Sequence, residues 1–316
     1  MSIDALIEGV AREGTPPCPP LPPRDPEGHK GTFGTVVVIG GSMQLPKVML
    51  GGAVLAARAA LRGGAGLVQL ALPEPLTIAG LAALESATGH ALPVDAEGNL
   101  DPSGCAEVID RALEGADAVA IGPALGGGFP VEQVVLRTIA HARAPMVVDA
   151  DALNALARTP GFDREIGSEP LVLTPHPGEY ARLAAALHLS PATVATDDER
   201  CLGADALARR LGCVVVLKGS RTAVSDGVHH WSAHAGTAAL ATGGSGDALA
   251  GLCASFLAQF ARGPSRYSVF DCARLAVAVH GLAARAWTSR HGDAGLLAGE
   301  LCEEIPGVLA SLRSRA

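Results

Sequence analysis

The chain has 316 residues, a formal net charge of −8 and only 18% charged residues, so it lacks the basic face that neutralising a nucleic-acid backbone requires. No apolar run reaches a membrane span without interruption by Gly, Pro or charge, and the N-terminal MSIDALIEGVAREG carries acids where a secretory leader carries Lys or Arg. Seven scattered cysteines without a CxxC pair fit reduced thiols, which predicts a cytoplasmic protein with neither a disulfide framework nor a zinc site.

Taken in chain order, Thr15 to Gly28 (TPPCPPLPPRDPEG) is too proline-rich for helix or central strand and reads as an extended arm, so residues 1–29 are set apart from one domain over 30–316. A β-branched run predicts a strand at Thr35–Ile39, followed by a helix over Lys47–Arg62 and a strand at Leu67–Leu72. Next come a helix over Ser103–Leu113, a strand at Ala118–Ile121, a helix over Val131–Ala142 and a strand at Met146–Asp149. Strand Leu171–Leu173, helices Pro177–Leu187 and Asp197–Leu211, and strand Val214–Leu217 follow. Asp226-Gly227 between Thr222–Ser225 and His229–Ser232 predicts a hairpin. Helices over Ser245–Phe260, Asp271–Arg290 and Leu296–Leu312 complete the chain. Strands this apolar, joined by helices, imply an α/β fold with a central, mostly parallel sheet covered on both faces.

The most telling run is Thr242-Gly243-Gly244-Ser245-Gly246-Asp247, directly before an apolar helix. Glycines let successive N–H groups face one point, and the helix start adds its unpaired amides and positive dipole end. That predicts an anion hole of Gly243, Gly244, Ser245 and Gly246, suited to phosphate. Asp247 beside it is either a base for an attacking hydroxyl or an ordinary acidic residue of a first helical turn.

Ligands bind at the carboxyl ends of parallel strands, and five of the strand ends here carry glycine or polar residues. They are Gly40-Gly41-Ser42, Gly122 to Gly128, Asp149 to Asn154, Thr174 to Glu179 and Lys218 to Thr222. Asp151 reads as a helix N-cap, and Asp149 as either structural or a water-mediated Mg²⁺ contact. His176, held between two prolines, is either a donor to a ligand or a spectator before a helix starting at Pro177. Lys218 is a phosphate contact or a solvated lysine. His229 and His230 point to opposite faces of a strand and cannot chelate one ion, so no metal-ligating set is assigned.

Together these segments resemble the ADP/ATP-dependent NAD(P)H-hydrate dehydratases, members of the ribokinase-like fold. The resemblance rests on Lys30-Gly31-Thr32-Phe33-Gly34, GGAVLAARAALRGGAGLV from Gly51 to Val68, and the VVDADALN, LTPHPGE, VVLKG and ATGGSGDALAG runs, in that order. It implies dehydration of the S-form of hydrated NADH or NADPH, with ADP or ATP as phosphoryl donor and Mg²⁺ as cofactor. It implies Asp247 as the catalytic base and Ala53, Gly126, His176 and Asp247 around the substrate. Lys218, Gly219, Ser220, Arg221, Thr222 and Gly246 would hold the nucleotide. It further implies a homo-oligomer, often a tetramer, and a functional partnership with a separate NAD(P)H-hydrate epimerase, the Pro-rich arm resembling the linker to such a domain. The chain departs from the family in having Ala124 within Gly122-Pro123-Ala124-Leu125-Gly126 where glycine is usual. It also has Gly236-Thr237-Ala238-Ala239-Leu240 where Gly-Asn-Pro-Gly-Met is usual. A ribokinase-like kinase of a small hydroxymethyl vitamin precursor would use the same cradle and base, and a non-catalytic nucleotide-binding protein would use the cradle alone.

Overall fold

The computed structural model describes residues 1–164, 169–190, 192–262 and 267–314. Its strands are β1 (Val10–Ala11), β2 (Thr35–Ile39), β3 (Leu67–Pro73), β4 (Thr88–Leu92), β5 (Ala118–Ile121), β6 (Met146–Val148), β7 (Leu171–Leu173), β8 (Val214–Leu217), β9 (Ala223–Ser225) and β10 (His230–Ser232). They form one sheet in the order β1-β10-β9-β8-β7-β6-β5-β2-β3-β4. Pairing is parallel from β4 through β8 and antiparallel from β8 through β9 and β10 to β1. Parallel order follows from the helical crossovers; the antiparallel end follows from Asp226-Gly227, which closes β9 and β10 into the expected hairpin.

The helices are α1 (Ile3–Glu8), α2 (Gly51–Arg62), α3 (Glu74–Ala83), α4 (Pro102–Leu113), α5 (Phe129–His141), α6 (Ala150–Arg158), α7 (Pro177–Ala186), α8 (Asp197–Leu211), α9 (Ser245–Phe260), α10 (Val269–His291) and α11 (Ala298–Arg313). The period of two along β2 divides the core: Val36 and Val38 face α2, α9, α10 and α11, whereas Val37 and Ile39 face α4 to α8. The small residues of α2 allow close packing, and a methyl at Gly251 of α9 would overlap the Ala56 carbonyl. This contact sets the relative height of α2 and α9 and brings their N-termini together.

Most expected elements are present within two residues of their expected bounds, and the differences have local causes. Helix α2 begins at Gly51, not Lys47, because Ser42 to Met49 folds back as an antiparallel bridge. Helix α3 and strand β4 were not expected. The edge strand TGHAL is mostly exposed and has no apolar alternation to announce it. The N-terminal segment contributes more than an extended arm. Before the prolines it forms α1 and β1, and Leu6 and Leu21 lie in the core. The proline stretch itself is extended and held by its carbonyls: Arg274 donates to Pro16 and Pro17, Tyr267 to Pro20 and Arg313 to Pro22.

Candidate functional site

The strand order reverses between β2 and β5, where the outward loops of an open parallel sheet diverge and leave a crevice. Those two loops touch, the Gly41 N–H donating to the Pro123 carbonyl at 3.1 Å. Gln44 ties them further: its Nε2 donates to Gly127 O at 2.6 Å, and its Oε1 accepts from Gly127 N at 3.0 Å. Gly126 donates its N–H to Asp151 Oδ2 at 2.9 Å. Asp151 is therefore not the helix N-cap expected from the sequence. The chain turns at Ala150 (φ 49°), so Asp149 takes the cap position and Asp151 falls in the first turn, free to bind the neighbouring loop.

Gly244, with φ of 90°, makes the left-handed turn into α9 that a side chain would oppose. Beyond it, Gly246 and Asp247 head the helix, where backbone amides lack an intrahelical acceptor. The Ser245 hydroxyl donates to the carbonyls of Leu240 (2.8 Å) and Thr242 (3.0 Å), so it shapes the loop and leaves anion contacts to the backbone. The departure segment supplies that anchor, since Ala238–Leu240 is a short 3-10 turn. Behind the loop, His280 Nε2 donates to the Ser245 carbonyl at 2.9 Å; burial pushes its pKa down to about 4, so it is a neutral donor. No motif flagged His280, because it lies inside α10 and meets Ser245 only in the fold.

The Asp247 carboxylate lies at the start of α2: a methyl added to Gly52 would sit 3.0 Å from its Oδ1. Two helix N-termini thus converge on one carboxyl. Burial chiefly, with the Asp149 charge, raises its pKa from 3.8 to about 6 despite the opposing pull of Lys218. An ordinary first-turn acid would be stabilised as the anion. This one is held closer to the pKa of a working base.

Lys218 is not the solvated lysine of the bland reading. Its Nζ donates to Asp149 Oδ1 at 2.7 Å and lies 3.9 Å from Glu179 Oε2; a methyl on Gly246 would meet it at 3.3 Å. Burial alone would lower its pKa, but the carboxylates of Asp149 and Glu179 outweigh burial and raise it. Asp149 also accepts from Thr174 Oγ1 at 2.7 Å. Glu179, given no role of its own from the sequence, is 5% exposed, and burial lifts its pKa to about 7.

His176 caps α7 in the way its prolines suggested. Its Nδ1 accepts from Gly178 (3.0 Å) and Glu179 (3.4 Å), while its own N–H donates to Glu179 Oε2. That leaves the Nε2 edge half-exposed, 3.3 Å from Glu179 Oε1. Burial and the Lys218 charge keep the ring pKa below its ordinary value, so it stays neutral at pH 7. Ala53 is fully buried beneath Gly40, so its methyl belongs to the floor and not to the open face. Gly219, Ser220 and Arg221 are exposed, and Thr222 closes the loop by donating to Gly219 O at 3.4 Å. Ala124 stands in the left-handed region at φ 58°, where the family's usual glycine carries no strain.

Asp149, Glu179 and Asp247 lie around the Lys218 ammonium, and the Asp151 charge acts on Asp247. The described residues include no group of three or more His, Cys, Asp or Glu arranged to hold a metal by themselves. Such a site fits a divalent cation that arrives on phosphate oxygens and keeps its waters, with one or two carboxylates nearby.

The family model described as NAD(P)H-hydrate dehydratase matches residues 36–307. An ADP-dependent (S)-NAD(P)H-hydrate dehydratase of Xanthomonas campestris is 35% identical over 285 residues, covering 88% of this chain and 89% of that protein. The chain spans about half the length of other curated relatives it matches, bifunctional NAD(P)H-hydrate repair enzymes, at 48% and 50% of two of them. Among solved structures, an ADP/ATP-dependent NAD(P)H-hydrate dehydratase from Bacillus subtilis, co-crystallised with ATP and Mg²⁺, has a TM-score of 0.73 and 31% identity, covering 93% of this chain and 95% of that one. A ribokinase-like superfamily protein from Enterococcus faecalis, at 24% identity and TM-score 0.74 over 99% of this chain and 95% of that one, shares the fold. With its match over most of its length and its ribokinase-like α/β fold, the chain belongs to the NAD(P)H-hydrate dehydratase family.

Proposed function

We propose that this protein restores NADH and NADPH from the S-form of their hydrates, using ADP or ATP to activate the leaving hydroxyl. The observation that carries the reading is the Asp247 carboxyl, set where α2 and α9 begin and tuned to about 6 beside amides suited to phosphate. A hydrated nicotinamide bears a hydroxyl on the carbon next to the ring nitrogen, and hydroxide leaves poorly. Asp247 takes the hydroxyl proton as the oxygen attacks the terminal phosphorus of the nucleotide; the bridging P–O bond breaks and AMP or ADP leaves, from ADP or ATP respectively. Amides of Gly243 to Gly246 and the Lys218 ammonium face the charge that develops on the transferred group. The ring-nitrogen lone pair then expels phosphate, and loss of a proton restores the reduced nicotinamide.

In this reading Ala53, Gly126, His176 and Asp247 surround the hydrate, and Lys218 to Thr222 with Gly246 hold the adenine nucleotide. Asp149 and Glu179 are the carboxylates closest in character to the ligands of a nucleotide-borne Mg²⁺, whose chemistry would be to neutralise phosphate charge. The same reading makes the enzyme cytoplasmic, a homotetramer, and a functional partner of an epimerase that supplies the S-form. It also assigns the dehydratase domain to 30–316, with the proline arm of 1–29 strapped along it. Light scattering tests the tetramer: a monomeric mass contradicts it. The activity is tested by incubating hydrated NADH with Mg²⁺ and either nucleotide. Return of the reduced-nicotinamide absorbance with release of inorganic phosphate supports the dehydratase; accumulation of a stable phosphorylated product supports a kinase instead.

A further inference from the structure

Arg200 is a buried cation that the chemistry above does not use. It lies in the first turns of α8 with its side chain only 6% exposed. Nη1 donates to the Thr196 carbonyl at 3.0 Å and approaches Asp197 Oδ1 at 3.4 Å. Nε is buried with no hydrogen-bond partner. A buried donor left unpaired is a cost that a methionine of similar length would avoid, so stability of the core does not account for an arginine here.

The guanidinium packs against the loop of Lys218 to Thr222 at Gly219. A Cβ at Gly219 would run into Nε and come within 2.8 Å of Cζ and 3.0 Å of Nη2, so the loop rests on the arginine only because residue 219 is glycine. From the other side of the loop, Arg221 Nη1 reaches Asp197 Oδ2 at 3.3 Å. Residues 219 and 221 are thus both fastened to the first turn of α8, one by packing on Arg200 and one by charge on Asp197.

Resting on the nucleotide-binding role of Lys218 to Thr222, we propose that Arg200 is a positioning residue that sets this loop for the adenine nucleotide. It acts through Gly219 and has no part in holding the hydrate. A loop presenting backbone amides to phosphates gains affinity by being held in place before the ligand arrives. Loss of the prop therefore weakens nucleotide binding while leaving the substrate side of the crevice, built on α2, the loop after β5 and the starts of α7 and α9, as it was.

The test is a double-mutant cycle of Arg200→Ala, Gly219→Ala and the pair, read by calorimetric titration of Mg·ADP and by separate KM values for nucleotide and hydrate. Each single change raises the nucleotide Kd and KM about tenfold, with the hydrate KM within about twofold. The pair is no worse than either single change, because the added methyl occupies space the guanidinium has left. Gly219→Ala, at an exposed loop position, carries the test even if Arg200→Ala folds poorly. Unchanged nucleotide affinity in the single variants overturns the proposal. So does a rise in hydrate KM parallel to that for nucleotide, or simple addition of the two defects. If the unsubstituted chain binds no adenine nucleotide, the functional reading fails and the proposal with it.

Discussion

Replacing Asp247 by asparagine should lower turnover by on the order of a hundredfold or more and at the same time make the protein more stable. The carboxyl is raised from 3.8 to about 6, chiefly by burial. A tenfold shift in an ionisation equilibrium is worth about 1.4 kcal/mol, so holding this group as an anion costs the fold on the order of 3 kcal/mol at neutral pH. The sign follows from linkage: the folded chain binds this proton more tightly than the unfolded chain. Between pH 3.8 and about 6 this contribution to stability therefore falls as pH rises, and above about 6 the full penalty is present. Asparagine removes the charge but buries an amide that needs partners, which reduces the gain to about 1–2 kcal/mol. For a domain of this size that is a rise in Tm of a few degrees, roughly 2 °C per kcal/mol. Thermal denaturation of both proteins at about pH 8 and about pH 4.5 measures it. The variant should melt higher at the upper pH, with a smaller gap at the lower. A variant no more stable at about pH 8, or a gap that does not change with pH, refutes the account of Asp247 as a charge held against its environment.

Because the base works only when ionised, kcat should fall about tenfold per pH unit below a pKa near 6, and this limb should persist in Glu179→Gln, which removes the carboxyl that titrates near 7. A limb that disappears with Glu179 would reassign the base. Lys218→Met leaves Asp149 and Glu179 buried without their cation; unfolding experiments should show a loss of about 3 kcal/mol along with nucleotide affinity, and an unchanged stability would contradict the buried triad. Ala124→Gly relieves a left-handed alanine, and the roughly 1–2 kcal/mol recovered exceeds the entropy cost of glycine, for a net gain of about 1 kcal/mol in denaturant unfolding. A loss of stability on that change would mean the alanine methyl is held by packing.

The sheet was legible because its strands are apolar throughout and its loops are marked by glycine and proline; β4 was not, because an edge strand exposed to water carries no such signal. Helix α6 shows how far local patterns reach. Asp149, Asp151 and Asn154 announce a helix start, yet which acid sits at the cap depends on the turn at Ala150, which no side chain advertises. The loops of the site could be read from GGSGD, TPHPGE and LKG, but their wiring could not. Lys218 pairs with a carboxylate 69 residues away, and Asp151 with an amide 25 residues away. The raised pKa of Asp247 likewise depends on α2 packing against α9, which follows from the small residues of both helices and not from the motif itself.

The most direct test follows the near-ultraviolet absorbance of reduced nicotinamide as the protein acts on the S-form of hydrated NADH with Mg²⁺, in the presence of ADP, ATP or neither, alongside Asp247→Asn. The account predicts a return of absorbance that requires a nucleotide and that falls by on the order of a hundredfold or more in the folded variant. Return of absorbance without nucleotide, or at an undiminished rate in Asp247→Asn, would contradict it.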